Sequence, residues 1–194
     1  MRRATIERKT AETEIRCELN LDGSGRYVVE TGVPFFDHML SIFARHGLLD
    51  LALAAKGDIE IDPHHTVEDS GIVIGEALRK ALGDKRGIRR FGQGTAPLDE
   101  ALARATIDFS GRGMFTLHGE FPREKSGDFD CILADDFFRA LAANAGATLH
   151  MELVSGKNPH HIVETAFKAV ALALREAAAK DPRVEDVPST KGVL

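Results

Sequence analysis

"DPHHTVEDSG" occupies Asp62–Gly71 and "NPHHIVETAF" occupies Asn158–Phe167, so one chain of 194 residues writes [DN]-P-H-H-x-V-E twice. A helical pattern follows each copy. Val67, Ile74, Leu78 and Leu82 recur at helical spacing up to Gly83, and Ile162, Ala166, Val170 and Leu174 do so after the second copy. Asp62-Pro63 and Asn158-Pro159 read as helix starts. The segments upstream of each copy also correspond. Before the first copy, residues 5–30 alternate polar and apolar and predict antiparallel strands, with Ile15, Cys17, Leu19 and Leu21 on one face and a turn at Asp22–Gly25. A helix from Pro34 to Gly47 carries the stripe Phe36, Met39, Leu40 and Phe43, and "LDLALAAKG" reads as a strand. Before the second copy, "EALARATIDFSGRGMFTLHGEF" predicts a strand pair around Gly111-Arg112-Gly113, "ADDFFRALAANAG" a helix ending near Gly146, and "ATLHMELVSG" a strand. The glycine-rich "GDKRGIRRFGQGTAPLDE" reads as the junction.

The order strands-helix-strand-helix therefore occurs twice, which predicts an α+β fold with one domain over 1–194, made of two pseudo-repeats at about 1–90 and 91–194. Each half is a sheet with two helices on one face, and the helices can be buried between the sheets. This register lays "DHML" (37–40) over "DDFF" (135–138) and sets His38 opposite Asp136.

Composition narrows the functional classes. Hydrophobic residues make up 43% of the chain, enough for a substantial core, and the mixed net charge of -5 argues against a nucleic-acid partner. No apolar run reaches 18 residues, and no apolar stretch follows the N-terminal arginines, so neither a membrane span nor a secretory signal is expected. Cys17 and Cys131 stand far apart and outside any C-x-x-C pair, which excludes a zinc ribbon and a disulfide framework. A cytoplasmic protein with free thiols is the expectation.

On a helix, Glu68 lies one turn from His64 and His65, and Glu164 one turn from His160 and His161. Neighbouring histidines diverge by about 100° and so are poor co-ligands for one ion, although each can serve a different one. Imidazole and carboxylate without thiolate suit Mn, Fe, Co, Ni or Zn. A His-His pair by itself is ordinarily surface or capping chemistry. Here each half adds a metal-competent group on its preceding helix, His38 or Asp136. His46 beside Gly47 fits a helix-end cation, and His118 and His150 read as partly buried strand residues. These residues alone leave room for a two-metal phosphoesterase or a metal-storage shell as well.

Longer motifs carry a resemblance. "GVPFFDHML", "PHHTVEDSGIVIGEAL", "GDKRGIRRFG", "APLDEALA", "DFSGRG", "GEFPREKSGDFD", "KNPHHIVETAFKA" and "DPRVEDVPSTKGVL" resemble imidazoleglycerol-phosphate dehydratase of histidine biosynthesis, single-function form, from Arg2 to Leu194. The resemblance implies a hydro-lyase that converts D-erythro-imidazole-glycerol phosphate to imidazole acetol phosphate. It implies two Mn²⁺ per active site and a cytoplasmic 24-subunit homo-oligomer with sites at subunit interfaces. It also implies four-stranded sheets around the helices, a ribosomal protein S5 domain 2-like arrangement. The implied metal ligands are His38, His64, His65, Glu68, His160, His161 and Glu164. Asp136 stands where the family often has His; a carboxylate can replace imidazole on Mn²⁺, or water can fill that place. Implied substrate contacts are Glu12 in "KTAET", Arg90 in "GIRRFG", Arg112 in "SGRG", and Ser189, Thr190 and Lys191 in "PSTKG". Arg89 adjoins Arg90, and the residues alone do not choose between them. The expected reaction runs through an imidazolate held by two metal ions, which expels the hydroxyl to leave a diazafulvene-like species. Glu12 is the candidate proton shuttle, with Glu68 and Glu164 as further catalytic carboxylates.

Overall fold

Side chains along residues 13–20 alternate in and out, burying Ile15, Cys17 and Leu19 on one face, as an amphipathic strand must. The computed structural model describes residues 2–194. The first half runs β1 (Arg3–Lys9), β2 (Thr13–Asn20), β3 (Tyr27–Glu30), α1 (Pro34–Gly47), β4 (Asp50–Gly57) and α2 (His64–Leu82). The second runs β5 (Phe91–Leu98), β6 (Ala101–Asp108), β7 (Met114–His118), a short hairpin of β8 (Lys125–Ser126) and β9 (Phe129–Asp130), α3 (Leu133–Ala145), β10 (Thr148–Ser155) and α4 (Pro159–Ala178). The main sheets have the orders β1-β2-β4-β3 and β5-β6-β10-β7, so one topology occurs twice. Helix α2 packs on β1 and β2 and α4 on β5 and β6, while α2 meets α3 and α1 meets α4. All four helices are thus sandwiched between two sheets, as the pattern predicted.

Three strand expectations need correction. Strand β3 does not join an antiparallel set with β1 and β2; it pairs parallel to β4. Strands β6 and β7 are not neighbours around Gly111–Gly113, because β10 lies between them, antiparallel to β6 and parallel to β7. In both halves the cause is a helix between the paired strands: a crossover returns the chain in parallel, where a hairpin would reverse it. Third, "FGQGTAPL" is not junction but edge strand β5, paired with β6 from Phe91↔Asp108 to Leu98↔Ala101. Its composition hides a strand. Pro97 is tolerated at an edge, and Gly92 and Gly94 are buried where the strand meets α4.

Those glycines set the approach of helix to sheet. A β-carbon on Gly94 would run into the Ala169 carbonyl oxygen, and one on Gly92 into that of Ala173. Between helices, Gly71 and Gly75 of α2 do the same against α3: β-carbons there would come 2.6 Å from the Phe137 carbonyl oxygen and 2.7 Å from that of Leu141. Phenylalanines cluster within the core. Phe137 and Phe138 of α3 meet Phe167 of α4 with ring centroids 5.1 and 4.7 Å apart. Burial pushes the thiols of Cys17 and Cys131 up to about 12 and about 11, so both are inert. Among the described residues no helix is long and apolar enough to cross a membrane.

Gly94→Ala should force α4 away from β5 and lower the unfolding free energy by about 1–3 kcal/mol, the usual cost of overpacking. Urea denaturation followed by circular dichroism reads this as a lower midpoint. Gln93→Ala, on the exposed face of the same strand, should leave the midpoint in place.

Candidate active site

Each repeated phrase opens a helix. In the first, the Asp62 side chain accepts the His64 N–H at 2.7 Å; in the second, Asn158 caps α4 by accepting the His160 N–H at 3.0 Å. His64 and His160 therefore sit in first turns, one turn before Glu68 and Glu164. His64 Nε2 lies 3.6 Å from Glu68 and His160 Nε2 lies 3.1 Å from Glu164. The partner from the preceding helix comes from the other half of the fold. His38 of α1 reaches Glu164 of α4 at 3.6 Å, and Asp136 of α3 reaches His64 of α2 at 3.6 Å. Contacts between α1 and α4 and between α2 and α3 thus build two mixed sets, each with one helix from each half.

The sets differ. One donor atom each from His38, His160 and Glu164 falls within 4.8 Å of the others, so these three converge on a common point. In the second set, Glu68 faces Nε2 of His64 while Asp136 faces Nδ1. One imidazole offers a single lone pair to an ion, so in this rotamer only one of those carboxylates can share an ion with it. The first set is also better supported. Phe35 stands edge-on to His160 at 5.0 Å and is backed by Phe129 of the β8–β9 hairpin at 5.3 Å. Lys168, one turn beyond Glu164, donates to it at 2.6 Å. Burial would raise the Glu164 pKa, but Lys168, then His160 and His38, overcome this and hold it below the ordinary value.

His65 and His161 turn away from these sets, their rings 5.8 and 6.0 Å from His64 and His160 and steeply inclined to them. His65 Nδ1 faces both Asp58 oxygens at 3.1 and 3.2 Å, and its Nε2 lies 3.8 Å from the exposed Glu12. Asp58 raises the His65 pKa. His161 Nδ1 lies 2.9 Å from Glu100. The backbone N–H of Asn158, then His161 and the Lys157 N–H, lower the Glu100 pKa to about 2.

The predicted phosphate residues gather elsewhere. Arg90, at φ 72°, forks onto Asp108 at 2.7 and 3.1 Å and donates to the Pro188 carbonyl at 2.9 Å, so it ties the C-terminal segment to the sheet. Arg89 makes only an exposed 3.4 Å pair with Glu176. Arg112 is exposed and its side chain has no ion pair among the described residues. Ser189, Thr190 and Lys191 lie in the exposed or half-exposed tail, where Ser189 Oγ accepts the Lys191 N–H. Leu194 rests against Gly111. Lys85 also points to this corner. It is buried at φ 62°, its Nζ near Gly111, with its pKa lowered by burial and by Arg79 and Arg90.

Sequence reasoning missed Lys168, Lys85, Asp58 and Glu100. The i+4 spacing from Glu164 could have found Lys168; the other three depend on chain reversals. His118 and His150 are not partly buried: both are exposed, stacked at 6.2 Å on the second sheet. His46 lies in the last turn of α1, as expected, with its pKa lowered by desolvation and by Lys168.

The fold is a duplicated α+β sandwich in which His38 meets Glu164 and Asp136 meets His64 across the two halves. The sequence profile described as imidazoleglycerol-phosphate dehydratase matches residues 31–174. An imidazoleglycerol-phosphate dehydratase of Desulforamulus reducens is 55% identical over 193 residues, spanning 100% of this chain and 98% of its own. The crystal structure of imidazoleglycerol-phosphate dehydratase from Staphylococcus aureus subsp. aureus N315 superposes with TM-score 0.83 at 37% identity, covering 92% of this chain and 99% of that one. The Pyrococcus furiosus enzyme in complex with (S)-C348 gives 0.84 at 36% identity, covering 97% and 100%. The chain belongs to the imidazoleglycerol-phosphate dehydratase family. It is a hydro-lyase of histidine biosynthesis.

Arg90→Ala should free the tail. Trypsin should then cut after Arg183 and Lys191 several-fold faster, followed by mass spectrometry, while Arg89→Ala should digest at the parent's rate.

Proposed function

We propose that the chain dehydrates D-erythro-imidazole-glycerol phosphate to imidazole acetol phosphate at a site holding two Mn²⁺ ions and completed by a second copy of the chain. The observation that carries the metal reading is the convergence of His38, His160 and Glu164, two imidazole nitrogens and a carboxylate oxygen within 4.8 Å. That donor set fits Mn²⁺. His64 with Glu68 or Asp136 is the second candidate set, and His65 and His161 turn away from these two sets, as ligands for a neighbour's ions would. When bound, the ions supply positive charge that favours the imidazolate form of the substrate ring.

The chain's own geometry supports completion by a neighbour. The Arg90 N–H is bonded to the Ala177 carbonyl at the far end of α4, whereas His160, His161 and Glu164 lie at its start. At about 1.5 Å rise per residue these groups stand roughly 25 Å apart, too far for one glycerol phosphate to touch both. A phosphate corner from one subunit must meet a histidine corner from another. A closed 24-subunit homo-oligomer in the cytoplasm is the assembly we propose.

In such a site Arg112, Arg90, Ser189, Thr190 and Lys191 bind phosphate through charge-assisted hydrogen bonds. Glu12, exposed at the β1–β2 turn and beside His65, moves the protons. One C–O and one C–H bond break, the hydroxyl leaves as water, and the enol tautomerises to the ketone. Glu68 and Glu164 orient the histidines they face.

Chelation should abolish product formation and Mn²⁺ should restore it; turnover that survives exhaustive metal removal would refute the metal reading. Glu12→Gln should lower kcat by at least about 100-fold, within the usual range for a general acid–base group, with Mn²⁺ content unchanged. Near-parent turnover would remove Glu12 from the proton path.

A further inference from the structure

Strands β2 and β6 hold the same place in their sheets. Asn20 pairs with Asp50 at the start of β4, and Asp108 pairs with Thr148 at the start of β10. The residue before β2 therefore corresponds to the residue before β6, and Glu12 has Glu100 as its counterpart. The turns differ in length. Four residues separate the paired Lys9 and Glu14, whereas two separate Leu98 and Ala101. The long turn holds Glu12 out in solvent. The tight one sets Glu100 on the chain, where one oxygen takes the N–H groups of Lys157 and Asn158 at 3.0 and 2.8 Å and the other faces His161 Nδ1 at 2.9 Å. In the first half that contact is made by a different residue, Asp58, which follows β4 and lies on His65 Nδ1.

We infer that Asp58 and Glu100 are positioning residues for the outward histidines, and that Glu12 is free to move protons because Asp58 takes over the contact its counterpart Glu100 makes. An ionised carboxylate can only accept, so it fixes the proton of each neutral ring on Nδ1. Nε2 then carries the lone pair and can meet an ion. Carboxylates behind ligating histidines hold ring and tautomer in this way. Two unrelated positions do one job in the two halves, and the duplication is chemically unequal as a result. This inference rests on the metal reading proposed above.

The isosteric amides test it. Glu100→Gln keeps an oxygen for both backbone N–H groups and turns an NH₂ toward His161. Nδ1 must then accept, the proton moves to Nε2, and no lone pair remains for an ion. Asp58→Asn replaces one of the two oxygens on His65 Nδ1 with an NH₂ that competes for the same nitrogen. Mn²⁺ titrations of the assembled protein, with free ion counted by electron paramagnetic resonance, should give a Kd raised about 10- to 100-fold in both variants. Glu12→Gln should bind as the parent does, and the melting temperatures of the metal-free proteins should agree. Parent-like Mn²⁺ affinity in Glu100→Gln and Asp58→Asn would overturn the inference, as would equal weakening by Glu12→Gln. A metal-free melting temperature lowered along with the affinity would reduce Glu100 to a cap on α4 and overturn it too. A parent protein that binds no Mn²⁺ would instead defeat the metal reading itself.

Discussion

Helices α2 and α3 meet where Gly71 and Gly75 leave only backbone at the contact, and the pairing of residues across the two halves depends on this closeness. The contact puts Asp136 against His64, and the corresponding meeting of α1 with α4 puts His38 against Glu164. Neither half of the fold holds a mixed set by itself. Interiors pack to near-crystalline density, so the separation of the helices is fixed by what stands between them. Small residues there convert a packing distance into a bonding distance several turns away. The sheets take part in the same way, since Gly92 and Gly94 let α4 lie directly on the edge strand.

The two mixed sets are relatives rather than copies. Glu164 has Lys168 one turn on, whereas the residue one turn beyond Glu68 is the apolar Ile72. His160 leans on Phe35, itself backed by the β8–β9 hairpin, which occurs only in the second half. A carboxylate with a cation at 2.6 Å and a ring held by aromatic edges is fixed before any ligand arrives. Such preorganisation lowers the cost of binding at that set. His64, flanked by carboxylates on both ring nitrogens, keeps a choice of partner.

Much of the fold was legible because it follows periodicity. Each helix declares itself by an apolar stripe and a proline or glycine at its ends, and the repeated phrase put the halves in register. That register sets His38 over Asp136, and these residues do occupy corresponding turns of α1 and α3. What escaped was non-local. A crossover strand looks like a hairpin strand until its neighbour is known, so β3 and β7 were assigned the wrong partners. Strand β5 escaped because its inward face is glycine, glycine and alanine, chosen for the helix above and not for strand propensity. Lys85 reaches the corner at Gly111 from a left-handed turn, and Asp58 reaches His65 around another chain reversal. No spacing rule joins those pairs. Arg90 and Arg89 are indistinguishable as letters, yet one forks onto Asp108 and the other makes an exposed pair with Glu176.

Helix α4 carries histidines at one end and meets Arg90 at the other. If those ends complete each other between subunits, a lone chain satisfies neither. A two-fold dimer can match both at once, since residue i of one copy then meets residue j of the other and the reverse, and a ring matches them in turn and closes by rotation. The length of one helix would in this way make activity a property of the assembly and not of the single chain.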